Sequence, residues 1–544
     1  MIRKSLRWIL ALCALLMTTP ATAKTTEYNL TIARETVIVT GQPTQKITVN
    51  GTIPGPTLIF DEGDEAVVHV TNRMDEDTSV HWHGLLLPPN MDGVPGLGGF
   101  TGIKPGETFT YRFNIRQSGT YWYHAHSMTQ EQDGHYGSMV IRPTGADPVT
   151  SDRDYVVLLS DFTPETSGQI MKNLKSSADY YQTARPTVGE FVKSARDKGL
   201  GAAWKATSEW GKMRMLPSDL SDVTGYTFLV NGKRPDQNWT GLFTPNERVR
   251  LRLINASAMT VFDVRISGLK MELVAADGQN VEPVNIDEMR MGPAETYDVI
   301  VTPTEDKAYT IAAESIDRTG FALGALAPRE GMRGEIPTQR PRARLTMTDM
   351  NMAMMMHDDP DMDMSDMPDS GWAQTGASEG TKILDYKDLR SLTSQTDLRA
   401  PERTLELRLG GNMERYIWTL NGKTYADSDG PLLLKAGERL RLRFVNETMM
   451  THPMHLHGMF MQLENGQEAA KVPNKHTVVV PPGATYSVLL TADEEGEWAF
   501  HCHLLYHMMS GMMTTVLVAD RDVPNAKAAP EMDHSHHDHG GHHE

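Results

Sequence analysis

Along most of the chain, apolar and polar residues alternate with a period of two. Ala66 to Thr71 is one such run. Arg248 to Ile254 reads Arg-Val-Arg-Leu-Arg-Leu-Ile, and Arg439 to Val445 reads Arg-Leu-Arg-Leu-Arg-Phe-Val. A strand with one buried face has this pattern, because successive side chains point to opposite faces. Gly, Pro, Asn and Asp punctuate the runs. Short strands at this spacing predict an all-β chain of Greek-key sandwich or barrel domains.

A weak repeat divides the chain. Asn50-Gly51, Asn231-Gly232 and Asn421-Gly422 each lead into an apolar strand that ends near Asn72, Asn255 or Asn446. Each copy is followed by a turn: Lys104-Pro105-Gly106-Glu107-Thr108, Gly292-Pro293-Ala294-Glu295-Thr296 or Pro481-Pro482-Gly483-Ala484-Thr485. Three related β domains are expected, at 24–150, 151–345 and 400–522. A helical insertion is expected in the middle domain around Val188 to Trp210. Residues 346–399 form an insert and linker, rich in Met and Asp at 346–370 and without strand periodicity there. The tail at 523–544 is His-rich and is expected to be disordered.

The chain has 544 residues, ample for several cores, and a net charge of −18. That excess of acid argues against nucleic acid as a partner and leaves cations. The N-terminus joins Arg3, Lys4 and Arg7 to an apolar run from Trp8 to Met17 and the small-residue site Ala21-Thr22-Ala23. This reads as an export signal at 1–23, which places the mature protein in the periplasm with no membrane span. The signal lacks a twin-arginine pair. Of the 2 cysteines, Cys13 leaves with the signal and Cys502 remains. An exported chain with one thiol has no internal disulfide, so that thiol calls for a reactive or metal-binding role.

The 20 histidines are unevenly placed, with none between Tyr136 and Met356. Four motifs carry the pattern: His81-Trp82-His83, His124-Ala125-His126, His452-Pro453-Met454-His455-Leu456-His457 and His501-Cys502-His503-Leu504-Leu505-Tyr506-His507. Residues i and i+2 of a strand share a face, so each His-x-His can converge. Neutral imidazole suits copper. Cys502 then faces away from His501 and His503. With His452, His507 and Met512 it supplies two imidazoles, a thiolate and a thioether, the ligand set of a blue-copper site.

These motifs resemble the signature of three-domain multicopper oxidases, over nearly the whole mature chain. The resemblance implies cupredoxin-like domains and four copper ions: one type 1, one type 2 and a type 3 pair. It implies His81 and His455 at type 2. His83, His124, His126, His457, His501 and His503 would hold the type 3 pair. His452, Cys502, His507 and Met512 would hold type 1. The middle copy, Asn255 to Thr260, has no His-x-His after it and is expected to be a spacer. His507 is expected to offer an exposed ring edge to the electron donor. By the same resemblance Asp92 is a proton donor to the cluster, although Asp92-Gly93 also fits a plain turn. Some relatives carry a second acid directly after the type 1 histidine, where this chain has Met508.

The substrates expected are O₂ and either Cu(I) or a small organic donor. Met347, Met350, Met352, Met354, Met355 and Met356 open a Met- and Asp-rich stretch. Thioethers select Cu(I), and the chain is similar to the periplasmic oxidases of bacterial copper tolerance. Cu(I) oxidation is therefore the leading expectation, with periplasmic copper carriers as candidate partners. A laccase-like oxidase of phenols or aromatic amines, or a copper-sequestering protein, remains open.

Overall fold

The computed structural model describes residues 24–182, 187–213, 220–342, 344–345, 372 and 375–520. The export signal, the Met- and Asp-rich stretch at 346–370 and the His-rich tail lie outside the described residues. Strands dominate the rest and form six sheets. Two four-stranded sheets lie within 25–142. A six- and a five-stranded sheet lie within 153–327, and another such pair within 403–519.

The sequence repeat has a physical counterpart. Thr25–Ile38 pairs in parallel with Glu65–Asn72, Arg153–Phe162 with Val249–Asn255, and Arg403–Asn412 with Arg439–Asn446. Asn50, Asn231 and Asn421 have φ of 54°, 49° and 50°, and each following glycine is also positive. Two successive positive φ values make the tight turn that Asn-Gly favours. Each asparagine accepts a backbone N–H from the opening strand, at Thr31, Leu158 or Arg408. At the far end, buried Asn72, Asn255 and Asn446 donate to the carbonyls of Ile103, Met291 and Val480. Asn72, Asn255 and Asn446 thus satisfy backbone carbonyls that would otherwise be buried unpaired.

The middle unit carries the expected helices, Val188–Lys198 and Leu200–Met213. Thr187 and Glu190 form a reciprocal capping box at the first. A further helix, Ser167–Ser176, has no counterpart in the sequence reading; Thr166 caps it. Among the described residues no helix is long and apolar enough to cross a membrane.

Charged contacts join the units. Asp298 is buried and accepts from Arg250 at 2.6 Å, from Arg252 at 3.3 Å and from Thr120 of the first unit at 2.7 Å. Asp147 and Asp154 take the other faces of the two guanidinium groups. Asp298→Ala should cost about 3 kcal/mol, the lower end for breaking a buried pair, because those two carboxylates remain. Calorimetry should show a lower unfolding temperature; an unchanged one would mean that the network contributes nothing to holding the units together.

Candidate metal centres

Strand pairing builds the sites. His81–His83 runs antiparallel to Gly119–His124, which sets His81 opposite His124. His452–Leu456 runs antiparallel to Gly496–Cys502, which sets His455 opposite His501 and Met454 opposite Cys502. Each outer unit therefore brings its two motifs together as neighbouring strands. Of the four His-x-His pairs, only His81 and His83 lie with both members on a strand. His126, His457 and His503 follow one or two residues after a strand ends, yet the rings still converge. Ring centres are 6.3 Å apart for His124 and His126, 4.7 Å for His455 and His457, and 5.6 Å for His501 and His503.

All eight imidazoles meet in one buried cleft between the first and third units. Their nitrogens sort into groups lying within 4.8 Å of one another: His83, His124 and His503; His126, His457 and His501; and His81, His83 and His455. Nε2 of His81, His124, His455 and His503, and Nδ1 of His83, are buried without a hydrogen-bond partner. Buried polar atoms are almost always paired. Lone pairs aimed at one another in a buried cleft fit a set of cations.

The outer nitrogens are occupied. His81 Nδ1 donates to the Asp92 carbonyl at 2.9 Å, and His455 Nδ1 to the His476 carbonyl at 2.6 Å. His457 Nδ1 lies 2.7 Å from Asp92 Oδ2, and His124 Nδ1 lies 2.8 Å from Glu131 Oε2. His83 is reversed, with Nε2 facing His476 Nδ1 at 3.1 Å and Thr477 Oγ1 at 3.2 Å. Such outer contacts fix ring orientation and leave the inner nitrogen for a metal. Burial and neighbouring imidazoles hold His83, His124, His126, His455, His457 and His503 well below the ordinary histidine value, and burial brings His501 down to about 4. The rings are neutral and can act as ligands.

Cys502 faces away from this cleft, as its position between two inward residues requires. Its Sγ lies 3.5 Å from His452 Nδ1 and 3.9 Å from His507 Nδ1, and the two Nδ1 atoms are 3.2 Å apart. Burial pushes the metal-free thiol well above its ordinary value, so thiolate chemistry there requires a cation. Met512 is buried beside them; its carbonyl accepts from Cys502 N and its N–H donates to the His507 carbonyl.

Two expectations are corrected. His507 presents no exposed ring edge, since it is 0% exposed. Trp418 stacks on it at 3.8 Å, and its Nε2 lies 2.7 Å from Asp222 Oδ2, which also accepts from Tyr416 OH at 2.6 Å. The middle unit is also more than a spacer. It supplies Asp222, and it supplies Asp277, which accepts the N–H groups of His476 and Thr477, the residues that face His83. Asp277 also pairs with the buried Lys475 at 3.1 Å. Sequence reasoning missed Glu131, Asp222, Asp277 and His476. None belongs to a spaced motif; only the run Gln130-Glu131-Gln132-Asp133, directly after the second motif, stood close enough to be noticed.

Family models described as multicopper oxidase match residues 31–146, 153–327 and 398–522. The chain belongs to the multicopper oxidase family, whose members bind four coppers, and it is an oxidoreductase of that class. It is 45% identical to copper resistance protein A of Escherichia coli, over 92% of this chain and 94% of that one. It is 46% identical to the copper resistance protein A homolog of Pseudomonas syringae pv. tomato, over 91% and 92%. The fold is shared with the laccase of Botrytis aclada, with a TM-score of 0.67 at 22% identity over 91% and 88%.

The metal-free protein should be acid-sensitive. Buried His135, His452 and His476, like the cluster histidines above, are held below the ordinary value. The unfolded chain takes up protons near pH 6.5 while the folded chain does not, so stability falls as pH drops through that value. The slope is up to ~1.4 kcal/mol per pH unit for each such group. A urea midpoint at pH 5.5 far below that at pH 7.5 is expected; equal midpoints would contradict neutral burial. Glu131→Ala leaves the outer nitrogen of His124 with the Ala125 carbonyl alone. It should weaken copper retention in the cluster by roughly 10–100-fold, read as copper left after dialysis against a chelator, with Glu131→Gln retaining more.

Proposed function

We propose that this chain is a periplasmic Cu(I) oxidase of copper tolerance: four Cu(I), O₂ and four protons give four Cu(II) and two waters. The observation that carries this reading is the Asp222 carboxylate on Nε2 of His507. Its Oδ1 is buried without a hydrogen-bond partner. A carboxylate at that ring favours a cationic donor over a neutral phenol. The similarity to copper resistance proteins and the density of thioethers support the same donor.

In this proposal His452, Cys502, His507 and Met512 hold the type 1 copper. His81 and His455 hold type 2. His83, His124 and His503 hold one type 3 ion, and His126, His457 and His501 the other. Bound copper supplies the one-electron redox steps. The protein supplies placement: Cys502 is covalently continuous with His501 and His503, so one peptide segment touches both centres. A Met512 thioether among the ligands would lower the type 1 potential relative to an aliphatic side chain, which suits an easily oxidised donor. Asp92 holds His457 through Oδ2, while its Oδ1, 3.2 Å from His81 Nδ1, has no hydrogen-bond partner; it is assigned proton delivery. Export through the signal at 1–23 and exchange with periplasmic copper carriers complete the reading.

Oxygen uptake by the copper-loaded protein tests it. Buffered Cu(I) should drive uptake well above the uncatalysed background, and a phenol little. Cys502→Ser should bring Cu(I)-driven uptake to background. Asp222→Asn should lower kcat/KM for Cu(I) roughly tenfold or more, as expected for losing a charge-assisted contact. A preference for the phenol would indicate a laccase. No uptake with either donor, in protein holding four coppers, would leave sequestration.

A further inference from the structure

A buried ammonium lies where the middle and third units meet, one residue from the contact with His83 of the first. Lys475, in the third unit, is wholly buried. Its Nζ lies 2.9 Å from Glu295 Oε1 and 3.1 Å from Asp277 Oδ2, both in the middle unit. The Tyr297 and Tyr386 rings flank it at 4.9 and 5.2 Å, within cation–π range. Burial opposes the charge, but the two carboxylates outweigh it and hold the ammonium above its ordinary value. A buried ion pair gains little stability over apolar packing, so stability alone does not explain the lysine.

The two carboxylates differ in what else they touch. Glu295 accepts from the Tyr297 and Tyr386 hydroxyls and from the Gly292 N–H, so it is satisfied without the lysine. Asp277 Oδ2 accepts the N–H groups of His476 and Thr477 and also lies 3.5 Å from His476 Nδ1. That nitrogen faces His83 Nε2 at 3.1 Å and Thr477 Oγ1 at 3.1 Å.

His83 turns Nδ1 inward as its free lone pair, so its hydrogen sits on Nε2 and is donated outward. His476 Nδ1 can accept it. Thr477 Oγ1 can accept it too, but that hydroxyl then donates in turn, and His476 Nδ1 is its acceptor. Both routes need a lone pair on His476 Nδ1. His476 Nε2 is buried without a hydrogen-bond partner and does not fix the tautomer. The choice therefore rests with the Nδ1 side, where an uncompensated Asp277 carboxylate would draw the ring hydrogen.

We infer that Lys475 is a positioning residue for the type 3 site: its ammonium offsets Asp277, keeps His476 Nδ1 an acceptor and so holds the His83 Nδ1 lone pair toward the cleft. The inference rests on the assignment of His83 to the type 3 pair and is independent of which donor the enzyme oxidises.

Lys475→Met removes the charge and keeps an unbranched apolar stem. A coupled pair of Cu(II) ions is silent in electron paramagnetic resonance, so the unaltered four-copper protein should show type 1 and type 2 copper alone. The variant should hold cluster copper roughly 10–100-fold more weakly against a chelator and show additional visible copper. Its type 1 absorption should be unchanged, which reports a folded third unit. Adding Asp277→Asn should restore both retention and silence, because the amide oxygen still accepts the two N–H groups without the charge. Lost packing would not be rescued in this way. Unchanged retention in Lys475→Met would overturn the inference, as would a double variant that stays uncoupled or does not fold. The double variant decides the matter alone if Lys475→Met yields no folded protein. Absence of Cu(I)-driven oxygen uptake in the unaltered protein would remove the Cu(I) reading and leave these results standing.

Discussion

Eight imidazoles can share one buried cleft only as neutral rings. Desolvation and mutual repulsion both oppose a proton on His83, His124, His126, His455, His457, His501 and His503, and their low proton affinities follow from that constraint. The rest of the site is arranged around it. Each ring needs an acceptor or partner on its outer nitrogen so that the inner nitrogen stays a free lone pair. Carbonyls serve His81, His455 and His501. A carboxylate serves His457, the Ala125 carbonyl together with Glu131 serves His124, and a threonine with a histidine serves His83. The protein contributes little attraction at the centre of the cleft; it holds a set of lone pairs in place for cations to complete.

The middle unit gains its importance from the same constraint. It donates no imidazole, but its acids reach both centres from outside. Asp222 closes over His507, and Asp277 fixes the backbone of His476 and Thr477. Gly278, directly after Asp277, has no room for a side chain, because a Cβ there would lie 2.2 Å from the Tyr121 ring. The first unit thus fits tightly against the turn that carries Asp277. The buried Lys475, paired with Asp277 and Glu295, offsets the negative charge gathered at this junction.

The sequence exposed what is periodic. Alternation showed the strands, Asn-Gly marked the repeat, and His-x-His with Cys502 between two histidines marked the centres. Those signals are local, spanning a few residues on one strand or turn. The outer contacts are not local. Asp222 is 285 residues from His507, and Asp92 is 365 from His457. Glu131 lies close in sequence to His124, but a buried carboxylate in a turn has no periodic signature. The exposed edge assigned to His507 failed for a related reason. Whether a ring is covered depends on Trp418 and a loop from another unit, not on the ring's own motif.

The contact between His83 and His476 spans 393 residues. Loop closure of that length is slow, and during synthesis domains fold from the N-terminus onward. The first unit can therefore fold completely while its four cluster histidines still lack their counterparts. The cleft exists only after the final strands have emerged and docked. Completion of the metal site thus reports that the chain has been made at least through Met512, and a chain cut short before residue 452 would have no oxidase centre, however well its first two units folded.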